Sequence, residues 1–413
     1  MSLFEILAVL TTTVAVFGYV NHRFIRLPET VGITAMGLVF ALVLALLGPH
    51  LPGVAEQAHG FVDRLDMYEL VFHALLPVLL FAGSMHISVG DLRRQKVPVG
   101  VLATVGLLIS IAVVGLGAWC LLAALGVPVA LPYCLLFAAL ISPTDPIAVL
   151  GMLKTAGAPR DLEVNIAGES LFNDGTAVVA YVVLLGLVTG TAEPSAGAVA
   201  MLLAREVLGA IVIGLVVASA GVWMLKDVDS HAIEIVITLA IATAGYSVAE
   251  ALHASGPLCS VVMGLTVGHH ASRRAMGGSA RSTLFAFWEM LDELFNLLLF
   301  GLIGLKLIAP YGEGSHWPAA LALLPLVLLA RWASVALPLA ALRPWWPQRR
   351  HTVLLMSWGG LRGGISVALS LSLPAFPGKD LFVAATFAVV LFSLLVQAPT
   401  LGRILRRLGI GQR

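Results

Sequence analysis

The sequence predicts an all-α polytopic membrane protein of about thirteen transmembrane helices, and three observations predict it. Hydrophobic residues make up 59% of the 413-residue chain and charged residues only 11%, against about 25% charged in a soluble domain. Apolar stretches approaching or exceeding the roughly 20 residues that cross a bilayer recur from one end to the other. The loops between them alternate in basic charge, as the loops of a multi-pass protein do. A mean hydropathy of +0.98 leaves too little polar residue to cover the surfaces of two or three soluble domains.

The stretches fall at 3–20, 28–47, 68–88, 98–125, 131–153, 163–189, 198–225, 231–252, 257–270, 284–309, 317–342, 351–373 and 380–402. The first has no basic n-region and no small-residue cleavage site, so it reads as a retained helix and not as a signal peptide. The fifth is interrupted by Ser142-Pro143-Thr144-Asp145-Pro146, where two prolines free backbone groups around Thr144 and Asp145. The sixth carries Gly168-Glu169-Ser170-Leu171-Phe172-Asn173-Asp174-Gly175, two carboxylates in a segment otherwise fit for lipid or a protein core. The ninth is the shortest. The twelfth is interrupted by Gly359-Gly360-Leu361-Arg362-Gly363-Gly364, four glycines around one arginine, which tolerate unwound backbone and close helix approach. The cysteines Cys120, Cys134 and Cys259 lie in apolar segments with neither disulfide nor metal-ligand spacing.

Alternate loops, beginning with the one that holds Arg23 and Arg26, contain 18 of the 24 basic residues. This set includes Arg93, Arg94, Lys96, Lys154, Arg160, Lys226, Arg273, Arg274, Arg281, Arg343, Arg349, Arg350 and the C-terminal arginines up to Arg413. The opposite loops hold only Arg64 and Lys379. The positive-inside rule makes the first set cytoplasmic, with the N-terminus outside and the C-terminus inside. If the seventh helix is a connector, helices 1–6 and 8–13 form two inverted six-helix repeats, and the broken helices are the fifth of each. Paired interruptions at matching places of an inverted repeat point to a binding site where broken helices cross at mid-membrane. No hydrophilic stretch is long enough for a separate cytoplasmic or nucleic-acid-binding domain.

The chemistry lies on the sixth helix. Glu169 and Asn173 are four residues apart, as are Ser170 and Asp174, so two carboxylates, an amide and a hydroxyl share one flank. Oxygen donors of this kind suit a hard monovalent cation, and carbonyls freed at the fifth-helix break add to the set. Arg362, buried at the second break, needs a counter-ion. Glu169 is the expected partner, which leaves Asp174 as the unneutralised carboxylate.

These same residues resemble the sodium/proton exchangers of the monovalent cation:proton antiporter family, prokaryotic NhaP-type branch. Ala249-Glu250-Ala251-Leu252-His253-Ala254-Ser255-Gly256, Phe287-Trp288-Glu289-Met290-Leu291-Asp292-Glu293 and the glycine-flanked Arg362 extend the resemblance over nearly the whole chain. The resemblance implies a transporter with no enzymatic activity and no cofactor, in a bacterial inner membrane. It implies a homodimer with scaffold helices at 1–97 and 198–309 and a mobile core at 98–197 and 310–413. It implies Asp174 as the cation- and proton-binding carboxylate, Thr144 and Ser170 as further metal-oxygen donors, and Asn173 and Asp145 beside them. It also implies a Glu169–Arg362 pair that holds the core. One position departs: in Leu75-Leu76-Pro77-Val78-Leu79-Leu80-Phe81-Ala82-Gly83, Ala82 stands where a number of relatives carry an acid. The choice among Na+, K+ and Li+ is therefore open.

Competition at Asp174 gives the expected mechanism: a buried carboxylate is neutralised by a proton or by a cation, not by both. Asn173 in place of a second aspartate points to one exchangeable charge and one-for-one, electroneutral exchange. Among the rivals, an organic-anion symporter would use Arg362 as its substrate clamp. An intramembrane aspartyl protease would use Asp145 and Asp174, in contexts unlike those of such enzymes. Glu250, Asp292 and Glu293 near membrane ends read as solvated helix termini or as ion-entry groups. His86, His253, His269 and His270 are the candidates for sensing pH. Trp317, Trp345 and Trp346 read as interfacial anchors.

Overall fold

The computed structural model describes residues 3–47, 66–191, 195–228, 230–273, 278–306, 317–346 and 351–410, with isolated positions at 50, 53, 57 and 60–61. The loop arginines Arg64, Arg274, Arg349, Arg350 and Arg413 lie outside the described residues. The described chain is helical with no strand, and a helix or a broken helix stands at each of the thirteen apolar stretches.

The helices are α1 (Leu3–Val20), α2 (Glu29–Leu47), α3 (Glu69–Met85), a short α4 (Val89–Arg94) and α5 (Lys96–Ala124). The fifth stretch is two half-helices, α6 (Leu131–Leu140) and α7 (Ile147–Thr155). Then follow α8 (Arg160–Thr189), α9 (Ala196–Met224), α10 (His231–Ala251), α11 (Gly256–Arg273), α12 (Gly278–Lys306) and α13 (Trp317–Leu342). The twelfth stretch is again two half-helices, α14 (Thr352–Trp358) and α15 (Gly364–Leu371), and α16 (Lys379–Arg407) closes the described chain.

The exact count of thirteen spans is not confirmed by the structure. Among the described residues six helices are by themselves long and apolar enough to cross a membrane, with α1 and α2 joining them as a pair bent by 106°. The two breaks divide the fifth and twelfth stretches into pieces too short to span alone, because Pro143, Pro146 and the glycines at 359–364 interrupt the ladder.

Small residues set the closest helix crossings, as van der Waals packing in lipid requires. Gly264 and Gly268 of α11 lie against the carbonyls of Phe81 and Met85 on α3, where any side chain would collide with backbone. Gly37 of α2 and Gly304 of α12 meet Cα to Cα, and a Cβ on Gly37 would stand 2.5 Å from Gly304. α5, α6, α8, α13, α15 and α16 bury a core that includes Phe137, Ala330 and Phe382 and is continuous with residues of α1, α2, α3 and α12.

Among the described residues four helical stretches widen to π geometry, at Asn21–Ile25, Glu69–Leu75, Leu102–Gly106 and Ser393–Gln397. A π turn leaves a carbonyl turned out of the regular ladder. At Leu102–Gly106 the carbonyl of Ala103 accepts from Thr176 Oγ at 2.9 Å, which pins α5 to α8 one turn from Glu169–Asp174.

Candidate ion-binding site

The two interrupted helices touch at their breaks. Asp145 N–H donates to the Leu361 carbonyl at 2.8 Å, an isolated antiparallel bridge between unwound backbones. Gly363 makes the approach possible, since a Cβ there would stand 2.7 Å from Asp145 Oδ2. The half-helices leave orphan carbonyls at the ends of α6 and α14 and orphan amides near the starts of α7 and α15.

α8 passes this crossing and presents the flank its spacing predicted: Glu169, Ser170, Asn173 and Asp174 are all buried. Asp174 Oδ1 accepts the Thr144 backbone amide at 3.2 Å. Thr144 Oγ1 lies 3.0 Å from Ser170 Oγ. Asn173 Nδ2 donates to the Ser142 carbonyl at 2.9 Å and lies 3.4 Å from Thr144 Oγ1. Its Oδ1 is buried and has no hydrogen-bond partner. A carboxylate, two hydroxyls and the Asn173 side-chain amide therefore gather at the α6–α7 break. Asp145, half-buried, lies beside it.

The charge pairing differs from the expected one. Glu169 pairs with Arg331 of α13 and not with Arg362: Arg331 Nη1 lies 2.5 Å from Oε1 and Nη2 lies 2.8 Å from Oε2. Arg331 Nη2 also donates to the Met356 carbonyl at 2.9 Å. Arg362 instead donates from Nη1 to the carbonyls of Ser142 and, at 3.0 Å, of Pro143. The physical reason is the orphan carbonyls. Each arginine reaches the C-terminal end of one half-helix, α14 for Arg331 and α6 for Arg362, where the helix dipole favours positive charge. Arg331 fits because the backbone of Gly360, bare of a side chain, lies against its guanidinium. In the sequence Arg331 is a lone basic residue inside the 317–342 stretch. An arginine at mid-helix has the same need for an anion as Arg362, and that signal was available.

A cavity of about 450 Å³ leads to this point. Thr144, Asp145 and Asp174 line its closed end, with Gly363 and Gly364, while Ser170 and Asn173 stand just behind the wall. Exposed His86, Lys154, Arg160 and Glu289 lie at its mouth. Asp292, Glu293 and Asn296 of α12 line it between, so two of the three acids near membrane ends belong to the access path. The third, Glu250, is at the other end of the molecule. Of the histidines singled out, only His86 lines the cavity. Arg362 does not line it.

A model of the sodium/hydrogen exchanger transmembrane region matches residues 9–407. The chain belongs to the sodium/hydrogen exchanger family. It is 42% identical over 415 aligned residues to the Na+/H+ antiporter NhaP of Pseudomonas aeruginosa, covering 99% of this chain and 97% of that one. It is 33% identical over 395 residues to the Na+/H+ antiporter NhaG of Bacillus atrophaeus, covering 94% of this chain and 72% of the relative. The solved structure of the sodium proton antiporter MjNhaP1 from Methanocaldococcus jannaschii has the same fold. That match has a TM-score of 0.77 at 20% identity over 99% of both chains. The broken-helix crossing described above is thus the crossing of an exchanger-family fold.

Proposed function

We propose that this chain is a secondary active antiporter that exchanges a monovalent cation, Na+ foremost, for H+ with one-for-one stoichiometry. The observation that carries the reading is Asp174, a buried carboxylate that lines the cavity and accepts an amide from the unwound backbone at Thr144. Its own α8 neighbour acid is already neutralised by Arg331, so Asp174 is the acid left to take a proton or a metal ion. Thr144 Oγ1, Ser170 Oγ and Asn173 Oδ1 would supply further oxygens, with Asp145 holding the cation's approach.

The competition follows from electrostatics. An ionised carboxylate removed from water is unfavourable unless compensated. Protonation compensates it, and so does a cation with hydroxyl and amide oxygens around it. Both loaded forms carry the same net charge, whereas the empty form is negative and is held back from crossing. Exchange is then obligatory, because the site moves only when one or the other ion is aboard.

Alternating access in this reading moves the core, 98–197 and 310–413, against a scaffold formed by 1–97 and 198–309. The scaffold would also mediate a homodimer, and α9 supports this with an outward apolar face that includes Leu208, Val212 and Val216. The cavity mouth lies among the basic loops that hold Lys154 and Arg160, so the positive-inside rule makes this an inward-facing state with the N-terminus outside. The organic-anion symporter is disfavoured: Arg362 is occupied by two carbonyls and does not line the cavity.

The test is reconstitution into vesicles loaded with a pH-sensitive dye, with Na+, Li+ or K+ added outside, with and without a clamped membrane potential. Cation-dependent proton movement that ignores the potential is expected from the native chain and none from Asp174→Asn. Exchange retained by Asp174→Asn would overturn the assignment.

A further inference from the structure

At the end of the molecule opposite the cavity mouth, one histidine stands between two carboxylates. His73 Nδ1 lies 2.7 Å from Glu69 Oε2, and its Nε2 lies 3.2 Å from Glu250 Oε2. A neutral imidazole has one N–H and one lone pair, so it can donate to only one of them. The lone pair on the other nitrogen would face a carboxylate oxygen at hydrogen-bond distance, which is repulsive. Both contacts are satisfied only when the trio holds one more proton, as imidazolium or as a carboxylic acid. The side chains are partly open to solvent, His73 at 34% and Glu250 at 35%, so that proton comes from the aqueous phase on this face.

The position of the trio gives it leverage. Glu69 and His73 sit on the π stretch Glu69–Leu75 at the start of α3, which packs against α15 of the broken helix and against α12. Glu250 belongs to α10, at its last turn. Val71, Phe72 and Leu75, on the same π stretch, are buried in the core. Asp66, whose carboxylate accepts the Glu69 amide, and Tyr68 are the other titratable groups on this segment. On α10, Tyr246 turns its ring edge-on to His73, while His231 and Glu234 lie in the first turn, at the far end of that helix. The α15 sequence Gly364–Leu371 contributes none, and α12 carries Lys306 in its last turn, with Glu289, Asp292 and Glu293 on the cavity side.

We propose that Glu69, His73 and Glu250 form a proton-binding latch that ties the outer end of α3 to α10 and makes opening on this face depend on the pH of this face alone. With the extra proton the latch is closed. As pH rises the proton leaves, two carboxylates face each other across a neutral ring, and the π stretch is released. Partly exposed ion pairs shift an equilibrium by about fivefold at most, so the latch tunes exchange without switching it off.

The proposal rests on the antiporter reading for its transport readout, and a second readout separates the two. Exchange is measured in oriented vesicles while the pH of each face is varied separately, for the native chain, His73→Gln and Glu250→Gln. The native chain should speed up by about threefold to fivefold as the outer pH is raised with the inner pH held fixed. The expected loss of that step in both variants, with exchange retained, supports the latch; a step retained in either variant, or present only for the inner pH, overturns it. Independently, amides 69–75 of the native chain should exchange hydrogen more slowly than those of His73→Gln at low pH and equally fast at high pH. No difference at low pH overturns the latch whatever the vesicles transport. Absence of exchange in the native chain with the amide difference present would instead refute the antiporter reading.

Discussion

Replacing Arg331 by glutamine is the sharpest test of how the broken helices are held. The guanidinium makes two charge-assisted bonds to Glu169, at 2.5 and 2.8 Å, and a third to the Met356 carbonyl at 2.9 Å. Removing it leaves a carboxylate that is 2% exposed with no cation in contact and an orphan carbonyl at the end of α14. Breaking a buried pair in this way costs about 3–5 kcal/mol. Taking the low end of the known scaling, about 2 °C per kcal/mol for a chain larger than 200 residues, the detergent-solubilised variant should melt roughly 6–10 °C lower. Glu169→Gln should be destabilising too, but the double variant should lose less than the sum, since neither then leaves a charge unpaired. The cycle should give a coupling of about 2–3 kcal/mol. The same cycle run on Glu169 and Arg362 should be additive to within about 1 kcal/mol, because Arg362 spends its bonds on Ser142 and Pro143. A larger coupling with Arg362 than with Arg331 would refute the pairing and the account of two arginines capping two half-helices.

Further outcomes follow from the site. Thr144→Val and Ser170→Ala each remove one hydroxyl of a pair 3.0 Å apart; each should raise the half-saturating cation concentration by about fivefold to tenfold, as loss of one ligating or bridging hydroxyl does, measured by dye recovery against cation titration. Gly363→Ala puts a methyl 2.7 Å from Asp145 Oδ2; it should reduce exchange sharply while the protein still reaches the membrane in near-native amount, as judged by quantitative blotting. Asp292→Asn removes a carboxylate from the cavity wall without touching the crossing; its expected signature is a raised half-saturating cation concentration that is steeper at low ionic strength, with the maximal rate kept.

The sequence by itself determined the membrane class, the two broken segments and the face of α8 that carries the chemistry. Those signals are local: apolar length, prolines and glycines at fixed places, and a four-residue spacing that any helix turns into a shared flank. The same spacing logic reached Asp174, Ser170 and Asn173, the resemblance added Thr144, and the fold brings the four together. The partner of Glu169 was decided only by tertiary structure. Both Arg331 and Arg362 are buried arginines in need of negative charge, and the sequence has no term that tells which faces the carboxylate. The answer depends on which orphan carbonyls lie within reach of each guanidinium once the breaks have crossed. The same is true of Asp292, which reads in one dimension as a solvated helix end or an ion-entry group, and only the fold puts it on the cavity wall. His73 is the extreme case: its two carboxylates come from positions 69 and 250, and only the packing of α3 against α10 puts both of its nitrogens on acids at once.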